Sequence, residues 1–96
     1  MSIDDTLRRV LIGRTDAIIL RLQNLTATDR AVGWDERFAA VCIDLLEEVR
    51  VSLVIEKRMP KWIAHHDMIM YFENPGILSG VLRDDILELT RDLSNI

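Results

Sequence analysis

Between Phe38 and Ile55, 13 of 18 residues are apolar, and they do not fall on one side of a helix. Phe38, Val41, Cys42, Leu45, Leu46, Val49 and Leu53 recur at spacings of one turn, the pattern of a buried helical face. Ala40, Ile43, Val51 and Val54 form a second row beside it. A helix on the outside of a small bundle needs a single apolar stripe of about 100°. A helix with two stripes must lie in the middle of its domain or use the second stripe against another chain. The same excess recurs more weakly in the first helix, where Ile12 and Ile19 lie opposite the main face.

Length decides between these outcomes at the level of expectation. Ninety-six residues make one domain, 1–96, with one modest core. Three short neighbours hardly surround a helix of roughly 22 residues, or ~33 Å. The surplus is therefore expected to be an interface, and a twofold homodimer is the commonest closed arrangement. Ile43, Val51 and Val54 are its predicted centre, and Trp34 and Trp62, near element ends, are candidate aromatic anchors. Asp44, Glu47, Glu48, Arg50 and Ser52 interrupt the apolar run, so it does not read as a bilayer span.

The remaining elements follow from periodicity and punctuation. Leu7, Leu11, Ile18, Leu22 and Leu25 predict a helix near 3–25, opened by a capping-box-like Ser2–Asp5. Gly13 inside it suggests a close helix contact. Residues 26–33 read as a loop with a short helical turn starting near Thr28, before the apolar helix at 34–58. Lys57, Arg58 and Lys61 suit the end of that helix, and Pro60 stops it. Residues 61–73 favour a short helix over a strand. Asn74 and Pro75 predict a final helix at 75–94, striped by Leu78, Leu82, Ile86, Leu89, Leu93 and Ile96. The expected fold is all-α, a compact bundle of about four helices.

Charge narrows the partner classes. With 12 Lys+Arg against 16 Asp+Glu the net charge is −4, which disfavours a nucleic-acid binder held by phosphate contacts. The acidic excess lies in the last third, where Asp84, Asp85, Glu88 and Asp92 form a candidate surface for a partner protein. A single cysteine, Cys42, and an acidic rather than basic N-terminus fit a cytoplasmic chain.

Candidate chemistry is sparse. Met59, His65, His66, Met68 and Met70 bring thioether and imidazole groups together, donors suited to a soft ion or haem iron. Methionine also simply fills cores, and none of the usual metal-ligand spacings is present. His65-His66-Asp67 lacks the further ligands of a His-Asp phosphohydrolase. Cys42 sits on an apolar face without a neighbouring base, so it reads as packing rather than nucleophile. Arg14 falls on the apolar face of the first helix and needs a carboxylate, with Asp44 or Asp85 as candidates, or a partner's acid at an interface. No catalytic constellation or cofactor motif is visible. The sequence therefore predicts a small non-enzymatic interaction module (adaptor, inhibitor or regulator) that self-associates, with soft-metal or haem binding through the 59–70 cluster as the alternative.

Overall fold

A computed structural model describes residues 4–56, 70, 72–73, 76 and 80–94, and in it the chain is an all-α bundle. Helix α1 spans Asp5–Gln23. Its first turn is capped by the Asp4 side chain, which accepts from the Leu7 N–H at 3.3 Å. Asn24 closes it, donating its backbone N–H to the Arg21 carbonyl at 3.1 Å and its side-chain amide to that of Leu20 at 2.9 Å. These caps shorten the predicted 3–25 span at both ends.

The segment read as a loop with a short helical turn starting near Thr28 holds a five-residue helix, α2, at Ala27–Ala31. Thr26 and Asp29 make a reciprocal capping box: the Asp29 N–H donates to Thr26 Oγ1 at 3.2 Å, and the Thr26 N–H to Asp29 Oδ2 at 3.0 Å. Five residues have too few intrahelical bonds to stand alone, so the caps carry this turn. Helix α3 follows at Glu36–Val51, capped by Asp35 Oδ1, which accepts from the Phe38 N–H at 2.8 Å.

At Val51 the α form gives way to a π turn, Ser52–Glu56, within the span predicted as one helix to 58. The i→i+5 pairing of a π turn is rare, and Arg8 reaches this one from α1. Its Nη1 donates to the Leu53 carbonyl at 3.2 Å. The last helix, α4, spans Val81–Ser94 rather than starting at 75. Gly80 stands at its entrance with φ 124°, a conformation only glycine holds without strain, and its carbonyl accepts from the Asp84 N–H at 3.0 Å. Of the predicted 61–73 element, Met70, Phe72 and Glu73 are described and are helical. Residues 61–69, Asn74, Pro75, Leu78 and Ile96 lie outside the described residues, as does Ser2.

Helix α1 is the shared support against which both α3 and α4 pack. Contacts run in reverse order along the pairs: Arg8 reaches Leu53 while Asp16 reaches Arg50, so α1 and α3 are antiparallel. The core joins Leu11, Ile18 and Leu22 of α1, Ala39, Cys42, Leu46 and Val49 of α3, Leu53 of the π turn, and Leu82, Ile86, Leu89 and Leu93 of α4. Trp34 and Phe72 close one end of it, with Phe38 against both rings at centroid distances of 5.1 and 5.7 Å.

The molecule measures 39 × 24 × 18 Å. Helices pack with axes roughly 8–10 Å apart, so a body 18 Å thick holds two layers. Gly13 marks no close contact: a Cβ built there meets nothing within 4 Å, because the residue faces outward.

Candidate interaction surface

The three residues placed at the centre of the expected interface part company. Ile43 is half-buried and packs against the core, as do Ile12 and Ile19 of α1. Val54 is half-buried in the π turn. Val51 is 48% exposed, and Ile55, not singled out from sequence, is 72% exposed. Val41, assigned from its spacing to the buried face, is also on the surface, as is Leu7 at the start of α1.

Turning α3 in steps of 100° explains the division. The core residues Ala39, Cys42, Leu46, Val49 and Leu53 cluster around one direction, and Val41 and Val51 point away from it. The surface row that results is Arg37, Val41, Asp44, Glu48, Val51 and Ile55, each one turn from the next. Arg37, Asp44, Glu47 and Glu48 are exposed, and none of the four forms an ion pair among the described residues.

Two shallow hollows flank this row and share Glu47 and Val51. One, of about 620 Å³, is lined by Asp44, Glu47, Glu48, Val51 and Ser52. The other, of about 380 Å³, lies over the α1–α3 seam and adds Asp16, Ile19 and Arg50. Arg50 is the cation of the second hollow, and its Nε donates to Asp16 Oδ1 at 2.7 Å. That pair neutralises itself, and among the described residues of this face Asp44, Glu47 and Glu48 outnumber the one other cation, Arg37.

The π turn fixes how this surface is presented. Leu53 is fully buried beneath it while Arg8 holds its carbonyl from α1, so the backbone is anchored from behind and Ile55 is left outside. Sequence reasoning had no signal for the π turn itself, whose partner lies 45 residues away. The exposed row did have a signal, the alternating spacing of 37, 41, 44, 48, 51 and 55.

The other predicted site residues are placed differently. Trp34 is 2% exposed and belongs to the core, tilted against Phe38 and edge-on to Phe72, so it does not serve as an interface anchor. Its position just ahead of α3 turns the ring inward over the helix end. Trp62 lies outside the described residues, as do Met59, His65, His66 and Met68. Met70 is described and exposed. Among the described residues no group of three His, Cys, Asp or Glu stands ready for a metal ion, and no helix is long and apolar enough to cross a membrane.

Arg14 finds its carboxylate in Asp92, with Nη1 to Oδ2 at 2.7 Å, and not in Asp44 or Asp85. Antiparallel packing of α1 on α4 sets the pair 78 residues apart in sequence. Asp85 instead lines, with Glu88, Ala17, Ile18 and Arg14, a cleft of about 290 Å³ between the two helices. The α4 acids are largely balanced by their neighbours. Asp84 lies 3.8 Å from Arg83, Glu88 lies 3.7 Å from Arg91, and Asp92 pairs with Arg14. Among the described residues Asp85 is the α4 acid of this set without an ion pair, against Asp44, Glu47 and Glu48 on α3. Cys42 is buried, and that burial pushes its thiol up to about 12, which removes it as a nucleophile at neutral pH.

No protein-family model, curated protein or solved structure matches this chain.

Proposed function

We propose that this chain is a small non-enzymatic interaction module that docks another helical surface onto the outward face of α3. One observation carries the reading: Val51 and Ile55 stand exposed one turn apart on a backbone anchored from behind by Leu53 and Arg8. Fully burying a valine or isoleucine side chain is worth about 1.5–3 kcal/mol, so leaving both outside forgoes stability that a partner can recover. Anchoring lowers the ordering cost of docking, since the row is held in place before the partner arrives.

The test is titration of an amphipathic helical peptide, with leucine at alternating three- and four-residue spacing, into isotopically labelled protein. Amide shifts are expected to concentrate on the exposed positions of 41–55. They should disappear in the Val51→Asp variant, whose circular dichroism should match the parent. Shifts confined to the α1–α4 cleft, or none at millimolar peptide, would contradict the proposal.

A further inference from the structure

We infer that the occupant of the α3 face is a basic amphipathic helix from a different protein, not a second copy of this chain. This rests on the docking role proposed above and specifies the chemistry of its partner. Arg37, Val41, Asp44, Glu48, Val51 and Ile55 follow the four-three alternation by which one helix presents a seam to another. Beyond Arg37 at its start, the seam is apolar at Val41 and again at Val51 and Ile55, with the acids Asp44 and Glu48 between them.

Charge decides the occupant. Asp44, Glu47 and Glu48 are exposed and have no ion pair among the described residues, and they line the same hollow as Val51. Pairing this seam with itself in the antiparallel sense, in the register that sets Val41 against Val51, places Asp44 of one copy opposite Glu48 of the other, twice. Pairing it in parallel sets Asp44 against Asp44 and Glu48 against Glu48. Both registers bring like charges together while removing them from water, which is doubly unfavourable. Arg37 does not relieve this, since the same antiparallel register puts it opposite Ile55. Arg50 does not relieve it either, being committed to Asp16 at 2.7 Å.

A foreign helix with lysine or arginine at its two central seam positions reverses the sign. Its cations meet Asp44 and Glu48, their aliphatic stems lie over Val51, and its flanking leucines cover Val41 and Ile55. The uncompensated acids then set which helices are accepted, and the apolar residues supply the area.

Three synthetic helices test this, identical except for lysine, glutamine or glutamate at the two central seam positions. Each is titrated by fluorescence anisotropy into the parent chain, Val51→Asp, Ile55→Asp and the double variant Asp44→Lys/Glu48→Lys. The lysine helix is expected to bind the parent about tenfold tighter than the glutamine helix, with the glutamate helix weaker still. The double variant should invert that order. The preference should shrink as salt rises from about 50 to about 500 mM. Equal binding of the lysine and glutamine helices would overturn the charge assignment and leave the docking face standing. Binding unaffected by both Val51→Asp and Ile55→Asp, or no binding of any helix, would overturn the docking face itself. A parent chain that sediments as a dimer at tens of micromolar and dissociates on Val51→Asp would overturn the choice of a foreign partner.

Discussion

Leu53 and Ile55 are two residues apart in the same π turn and have opposite surroundings, fully buried against 72% exposed. Truncating each to alanine therefore separates core from surface within one turn. Leu53→Ala removes a side chain packed on all sides, and such truncations cost about 2–5 kcal/mol through lost transfer energy and the cavity left behind. Taking ~3 kcal/mol, and 4–8 °C per kcal/mol for a domain of this size, the midpoint should fall by roughly 12–24 °C. The Arg8 contact survives the change, because it is made to the main-chain carbonyl. Ile55→Ala surrenders only the small part of its side chain that is covered, so the cost should stay below ~1 kcal/mol. Alanine's better helix propensity offsets part of even that. Urea and thermal unfolding followed by far-UV circular dichroism measure both. Equal losses, or a larger loss at Ile55, would refute the placement of the α3 face and everything built on it.

Other perturbations probe separate parts of the account. Gly13→Ala should stabilise by about 0.5–1 kcal/mol, since it is helical with open space around it, whereas Gly80→Ala should cost about 1–3 kcal/mol. At Gly80 the backbone is left-handed, and the new Cβ would meet Val32 Cγ2 at 3.2 Å; unfolding midpoints report both changes. Asp29 is held below its ordinary 3.8: burial alone would raise it, but the Thr26 hydrogen bonds and Arg21 outweigh that. Its contribution is therefore present above 3.8 and lost as pH falls through the lowered value, so the stability gap between parent and Asp29→Asn should close on acidification. Cys42 should resist alkylation at pH 8 in the folded chain and react once urea unfolds it, as followed by mass spectrometry; fast modification of native protein would contradict its burial.

The residues that were legible in sequence are those whose role is set by local period and local chemistry. Leu11, Ile18 and Leu22 lie in the core because one-turn spacing puts them on one side of α1, and the same holds for Leu82, Ile86, Leu89 and Leu93 of α4. The helical turn expected near Thr28 is present, and the structure places its start at the Thr26–Asp29 capping box. Long-range choices were not legible. Arg14 plainly needed an acid, but selecting Asp92 over Asp85 depends on the register of α1 against α4. Asn74-Pro75 offered a stronger local signal for a helix start than Gly80, yet the φ of 124° at Gly80 fixes where α4 opens. Val41 and Ile43 show why a two-sided apolar helix is ambiguous. Both fit a stripe on a wheel, and only the tertiary packing shows that Ile43 is the one held against the core.

Docking on α3 requires an apolar row that stays open to solvent on the isolated chain. Methyl-resolved NMR with a soluble paramagnetic cosolute reads this directly. The methyls of Val51 and Ile55 are predicted to relax strongly, while those of Val49 and Leu53 on the opposite side of the same helical stretch remain nearly unaffected. Equal protection of all four at concentrations where the chain is monomeric would contradict it.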